Sequence, residues 1–547
     1  ALYDSYCASA ARAAAAVDRH RPLQPSLLFC NCAAMSTMID ADAARREGFV
    51  PLGASRKGSS FRGGRAAAND TAAEIGSLGK GHFLQEQIVK GPAASLPRRK
   101  SLDERNEAKD QALYYSLRDR IPSDLAMTPG AGGQALRRVM LHGATVVFVT
   151  PGYEGKRFVF ERAKDLGVRS VVIDAPGSWA ERMVGERVIA KFIPLDLNRD
   201  STSVLNDCAA AIRALGREEG FSMPAGVCTF CELSVPLVAR LAETLGLPGP
   251  SSAAVDTARD KHSTRAAMKA AGLPSPSCYR VNDETDLKQA ASVVGFPAVL
   301  KPLNGAASLG VKKVDSEAEL QRCYADVLAE MRATVVSSGA LVKKDPTAPS
   351  DPNGEDPSFL LEEYLDGPEV DVDVVMGLGE ARYAKVVDNG PTAEPYFAET
   401  WGVCPSLLPA EGQASLQKLA IDSLKCCGFD CGVFHVECKL TSRGPRLIEI
   451  NARMGGGQVR KTHLLASGVD LVEETLFTAV GIPCNPHVSI ENTAVAYTYV
   501  TNQKSGVVDG LASAAKRVAE TDKSVAYCKP LVKDGAAIVG SDDALPD

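Results

Sequence analysis

Three things are missing from this sequence, and each closes off a class of protein. Nowhere in its 547 residues is there a run of 18 apolar residues, which argues against a bilayer-spanning helix. There is no basic surplus either: 61 Lys and Arg stand against 67 Asp and Glu, a formal charge of -6 with a pI near 5.8. Phosphate backbones are bound by an excess of cations, so nucleic acid is not an expected partner. Finally, no second cysteine pair lies at zinc-site spacing from Cys228 and Cys231, or from Cys426, Cys427 and Cys431. Fifteen cysteines, an odd number in so long a chain, read instead as small core residues in a reducing compartment.

What is present divides into four stretches. Residues 1–140 are low-complexity and expected to be mostly irregular, with helical character only over 109–118. The Ala-, Arg- and Ser-rich first 70 residues have the composition of an organellar transit peptide, though with more acids. The expected location is therefore cytoplasmic, or organellar if that segment is a transit peptide. The chain begins at Ala1 rather than Met and ends at Asp547 on no clear element, so truncation is expected to be open at both ends.

At Ala144 the texture changes. Residues 145–150 (TVVFVT) form a continuous apolar run, then comes a helix pattern closed by Gly167, then 170–174 (SVVID). Strand, helix, strand with apolar strands means a parallel sheet covered on both faces. A further strand at 226–230 and a helix at 235–245 complete a Rossmann-like unit over 141–250. Gly152 and Gly155 follow the first strand, but their spacing is not G-x-G-x-x-G, and no dinucleotide site is expected.

From Ser251 onward a helix at 256–271 precedes short strands at 298–301, 311–314, 359–364, 370–376 and 382–387. Residues 333–358 read as a solvated insertion, 416–427 as a helix, and 432–440 with 446–451 as paired strands. Residues 485–547 form a last small α+β piece.

Three groups of residues carry chemistry. Lys301 ends an apolar strand (FPAVLKP), where an ammonium reaches a phosphate oxygen while its stem packs on the sheet. The small residues from Asn304 to Gly310 would let backbone N–H groups approach the same phosphates. In LLEEYLDGPE, Glu362 is placed to accept from an adenine amine, and Glu369 to hold two ribose hydroxyls. In the third group Glu449 and Asn451 share a strand face, and Glu437 joins them if the two strands pair. Two carboxylates and an amide oxygen are hard ligands suited to Mg²⁺ bound alongside phosphate. Arg453 and the glycines 455–457 follow, a guanidinium for a phosphoryl group or carboxylate beside a backbone that permits close approach. A plain turn, a surface hairpin and a polar strand face are the respective alternatives. His435 reads as a neighbour of Glu437, and Lys461 and His463 as pocket-rim candidates.

In order and spacing these groups resemble the ATP-grasp superfamily. The stretches 153–167, 232–249 and Ala258-Arg-Asp-Lys261 are similar to carnosine synthase and its relatives, and EINARMGG (449–456) also to the bacterial L-amino-acid ligases. After that double glycine, GQVR (457–460) departs from the animal carnosine synthases. The resemblance implies an ATP-grasp domain over 251–484, with a small nucleotide lobe at about 263–362 and a large lobe at about 363–484. A Rossmann-like domain at 141–250 would precede it, and a C-terminal subdomain at 485–547 would follow. It further implies Lys261 and Lys301 on phosphates and 304–310, with Ser308, Leu309 and Gly310, as the phosphate lid. Glu362, Glu363, Tyr364 and Leu365 would line the adenine hinge and Glu369 would hold the ribose. Glu437, Glu449 and Asn451 would carry Mg²⁺, with Mn²⁺ able to stand in. Arg453 would act at the reacting centre, and Gly455 and Gly456 would lie against substrate.

The activity so implied is ATP-dependent ligation of two amino acids through an acyl phosphate, releasing ADP and phosphate. A ligase or carboxylase with another acceptor, or a catalytically silent nucleotide-binding module, are the alternatives. Related enzymes are often homo-oligomers.

Overall fold

A computed structural model of the chain describes residues 27–32, 102–118, 120–303, 308–332, 334–337, 340–343, 357–392, 397, 399–491, 493–500 and 504–540. Most of the 1–140 region therefore lies outside the described residues, as do positions 304–307 of the expected lid.

The region expected to be largely irregular does form helices where it is described. Leu102–Arg118, Ser123–Ala126 and Gly130–Leu141 are helical. Their order comes from tertiary contacts that local sequence does not announce. Tyr114, Met140 and Leu141 are buried in the core, and the buried Arg137 guanidinium donates to the carbonyls of Ala126 (2.7 Å) and Asn485. A buried guanidinium needs such partners, and here one comes from the preceding turn of chain and the other from a distant segment.

The first sheet has four parallel strands in the order Lys191–Pro194, Arg169–Asp174, Thr145–Val149, Gly226–Cys228. Thr145–Val149 is buried at every position, as expected of a strand with helices on both faces. Strand order reverses at Thr145–Val149: the next strand in sequence lies on one side of it and Gly226–Cys228 on the other. The crevice beyond the carboxyl ends of strands at such a reversal is where open α/β sheets bind ligands.

The second sheet is antiparallel, Cys278–Val281, Phe359–Glu363, Ala298–Pro302, Lys312–Val314. Helices Leu287–Val294 and Glu317–Arg332 cover one face through Leu287, Leu320, Tyr324 and Val327. The third has eight strands and runs Gly444–Asn451, Gly432–Thr441, Glu369–Gly377, Glu380–Asn389, Trp401–Cys404, Val495–Val500, Leu27–Cys32, Val525–Pro530. Helix Ala410–Cys426 packs on it through Leu416, Leu419, Ala420 and Leu424. The strand Leu27–Cys32 runs parallel to both its neighbours. In the 333–358 insertion, Thr334–Ser337 pairs with Ala340–Lys343.

One departure matters for the site. The single helix expected over 256–271 is two, Ser252–Arg259 and Lys261–Ala270. Asp260 breaks it: its backbone is extended, and its carboxylate caps the second helix by accepting from Ser263 N at 2.8 Å. Lys261 thereby becomes the first residue of a new helix. Among the described residues no helix is long and apolar enough to cross a membrane.

Candidate functional site: a carboxylate row facing lysines and an arginine

The site is built by strand register. Glu437 lies opposite Glu449 on one side and Asp371 on the other, giving a row of three acids across three strands. The next row is Asp373, His435, Asn451, and Glu369 lies opposite Lys439. Since side chains of like register share a face, five carboxylates, a histidine and an amide crowd one side of the sheet.

Such a face is stable only if positive charge answers it. Lys261 Nζ reaches Glu449 at 2.8 Å, from the helix that Asp260 starts. Asp373 takes His435 Nδ1 at 2.9 Å and His463 Nε2 at 2.6 Å, and His463 Nδ1 lies 2.7 Å from the Tyr383 hydroxyl. Burial pushes the His435 imidazole down, but Asp371 and Asp373 outweigh it and hold the ring protonated up to about 10. Among the described residues no cation is in contact with Glu437. Burial and the charge of Glu449 push its carboxyl up to about 8. Asn451 Nδ2 donates to Glu437 at 3.0 Å, and Arg453 Nη2 donates to Asn451 Oδ1 at 3.0 Å. Two opposed carboxylates with one raised this far form a donor pair that is short of positive charge. The chemistry fits a divalent cation taking its remaining ligands from phosphate and water. Among the described residues no three His, Cys, Asp or Glu side chains close into a protein-only metal cage.

Across from this row stands the second sheet. Lys301 and Glu362 are diagonal neighbours on one face, and their ion pair measures 2.5 Å. Arg265 joins them, its Nε 2.6 Å from the same carboxylate. Burial alone would raise Glu362, yet the two cations hold it at about 2. Beyond it, the Tyr364 ring lies with Lys313 at 4.6 Å and Lys439 at 5.6 Å from its centroid. Lys439 also reaches Glu369 at 3.7 Å.

Between the sheets is a cavity of about 790 Å³. Its walls include Lys261, Lys301, Ser308, Leu309, Glu362, Glu363, Tyr364, Leu365, Glu369, Glu437, Glu449, Asn451, Arg453 and Gly456. Two residues expected at the ligand do not line it. Gly310 packs away from it, where a Cβ would meet Val327 and Pro302 at 2.9 and 3.0 Å. Gly455 is buried against His435, whose Nδ1 would stand 2.6 Å from a Cβ there. Small size matters at both, but for packing. His463, expected at the pocket rim, is fully buried on Asp373. Lys461 lies 3.4 Å over the Tyr527 ring. Glu362 lines the cavity, but its carboxylate is taken up by Lys301 and Arg265 rather than free for an adenine amine.

Several wall residues escaped the sequence reading. Glu232, at the tip of the parallel sheet, pairs with Arg259 at 2.7 Å and with Arg453 Nε at 2.7 Å. Glu399 also lines the cavity. Asp371, in the carboxylate row but not in the cavity wall, was readable: in EVDVDVV the acids alternate with valines, which places them on one face of a buried strand.

Comparison with known proteins bears on the fold. Residues 294–462 match the ATP-grasp domain and residues 160–249 the ATP-grasp N-terminal domain. The chain has the ATP-grasp fold. The chain is 33% identical over 352 residues to carnosine synthase 1 of Gallus gallus, covering 63% of the chain and 36% of that protein. It is 28% identical over 255 residues to the alanine–anticapsin ligase of Bacillus subtilis, covering 44% of the chain and 51% of that ligase. Among solved structures, the L-amino acid ligase from Bacillus licheniformis superposes with a TM-score of 0.53 at 22% identity, covering 72% of this chain and 91% of that one. The chain thus spans well under half the length of the carnosine synthases it matches.

Proposed function

We propose that this ATP-grasp chain is a carboxylate–amine ligase that joins two amino acids through an acyl phosphate, forming a C–N bond and releasing ADP and phosphate. The observation that carries the reading is the Glu437–Glu449 pair, with Asn451 and Arg453 beside it and Lys261 and Lys301 across one cavity. The names carnosine synthase, alanine–anticapsin ligase and L-amino acid ligase point to the same chemistry in proteins this chain is similar to.

Glu363, Tyr364 and Leu365 form the strand end against which an adenine would lie, with Glu369 for the ribose hydroxyls. Lys301, steadied by Glu362, and Lys261 take the phosphates. Mg²⁺, when bound by Glu437, Glu449 and Asn451, supplies the charge that lets a carboxylate approach a triphosphate. A substrate carboxylate oxygen attacks the γ-phosphorus and the bond to the β-bridging oxygen breaks, giving acyl phosphate and ADP. The second amino acid's amine then attacks the acyl carbon, phosphate leaves and the nitrogen loses a proton. Arg453, held by Glu232 and Asn451, is positioned to stabilise negative charge in either step.

The test is phosphate release by the purified chain with ATP and Mg²⁺ against pairs of amino acids, β-alanine with L-histidine among them. Release that needs two amino acids is the expected result. Release with bicarbonate, or with no member of the panel, would overturn the reading.

A further inference from the structure

The cations of the cavity are not alike. Lys261 faces Glu449, Lys301 faces Glu362, Lys439 faces Glu369 and Arg453 faces Glu232. Lys156 also lines the cavity, yet no carboxylate pairs with it among the described residues. Among the described residues its one hydrogen bond is donated to the carbonyl of Phe230.

Its place in the fold is the strand-order reversal of the parallel sheet. Two loops leave the carboxyl ends of Thr145–Val149 and Gly226–Cys228 there, and they are stitched together. Thr150 Oγ1 lies 2.7 Å from Ser234 Oγ, Cys231 Sγ reaches the Thr150 carbonyl at 3.6 Å, and Lys156 crosses to Phe230. Gly152 makes the crossing possible: a Cβ there would stand 2.9 Å from both Cys231 Sγ and Lys156 Cδ. Trp179 Nε1 braces the loop from the other side by donating to the Gly152 carbonyl at 2.6 Å. A lysine is thus held rigidly at the position where open parallel sheets receive ligands, and it opens into the same cavity as Arg453.

We infer that Lys156 binds the carboxylate of the amine-donating amino acid. The inference rests on the ligase reading and adds to it a requirement on the second substrate. In such a reaction the first substrate's carboxylate is consumed, whereas the second keeps its own into the product. Lys261, Lys301 and Arg453 are committed to the phosphates and the reacting centre, so the surviving anion needs a cation elsewhere. Burial and the nearby Arg453 push the Lys156 ammonium down, and a carboxylate bound against it would restore it.

The experiment compares L-histidine, L-alanine and L-glutamine with their carboxamides as amine donors, in native chain and in Lys156→Met and Lys156→Arg. Hydroxylamine replaces the amine in a parallel assay, with hydroxamate formation reporting the acyl phosphate independently. The native chain is expected to favour the acids over the amides in KM by about ten- to a hundredfold, as a charge-assisted contact does. That preference should collapse in Lys156→Met and survive largely in Lys156→Arg. Because the readout is a ratio within each variant, altered folding yield does not move it. A preference that persists in Lys156→Met, or that is absent from the native chain, overturns the inference while leaving the ligase reading intact. Absence of hydroxamate with every carboxylate tried overturns the ligase reading and the inference with it.

Discussion

Glu232 holds Arg453 across the boundary between the parallel sheet and the carboxylate row, its Oε2 2.7 Å from the guanidinium Nε and its other oxygen on Arg259. Neither arginine has comparable freedom to turn elsewhere, because all three side chains are largely buried. Glu232→Gln keeps the shape and removes the charge. The expected outcome is a loss of about 1–3 kcal/mol of stability and a fall in turnover larger than any rise in the KM for ATP. Chemical denaturation and steady-state kinetics check this, and unchanged turnover would detach Glu232 from the reacting centre.

The opposed acids give a sharper test. Glu449→Gln should leave Tm close to native but cut ATP turnover by at least about a hundredfold, since a charged ligand and the partner of Lys261 disappear together. Isothermal titration with Mg²⁺ and ADP should show the affinity falling in parallel. Near-native turnover would remove the metal assignment.

The buried triad predicts a different phenotype from a nucleotide contact. Glu362→Ala strands Arg265 and Lys301 in the interior, which costs about 3–5 kcal/mol. The variant should therefore unfold at markedly lower denaturant rather than simply bind ATP more weakly. A stable variant with weakened ATP affinity alone would restore Glu362 to the adenine.

Neighbouring glycines should behave in opposite ways. Gly455→Ala drives a Cβ to 2.6 Å from His435 Nδ1, the atom engaged by Asp373, and should cost about 1–3 kcal/mol. Gly456→Ala meets nothing within 4 Å and should stay within about 0.5 kcal/mol of native. Thermal melts of the two variants decide it.

Stability should also carry a pH signature from Glu474, which burial pushes from 4.5 up to about 7. Between those values the folded chain keeps a proton that the unfolded chain has lost. The contribution is therefore full below about pH 4.5 and disappears as pH rises through about 7, with an upper size on the order of 3 kcal/mol. Glu474→Gln should flatten that part of the curve, measured by denaturant midpoints from pH 5 to 8.

Much of the architecture was legible from local pattern. Apolar runs such as TVVFV announce a strand covered on both faces, and alternation in LIEIN places Glu449 and Asn451 together. The helix break at Asp260 was not, because a lone Asp inside a helical stretch caps only when the chain beyond it has somewhere to dock. Helix Gly130–Leu141 escaped for a related reason: its order depends on Arg137 meeting the carbonyl of Asn485, remote in sequence.

By itself the order of residues determined which side chains share a strand face, since that follows from a two-residue period inside one segment. Only the tertiary structure decided what those faces meet. That Glu437 lies between Asp371 and Glu449, that Glu362 spends its charge on Arg265 and Lys301, and that Glu232 steadies Arg453 are matters of register and packing. Electrostatic energy depends on distance through space and on burial. Neither quantity exists until strands have paired and the interior has closed.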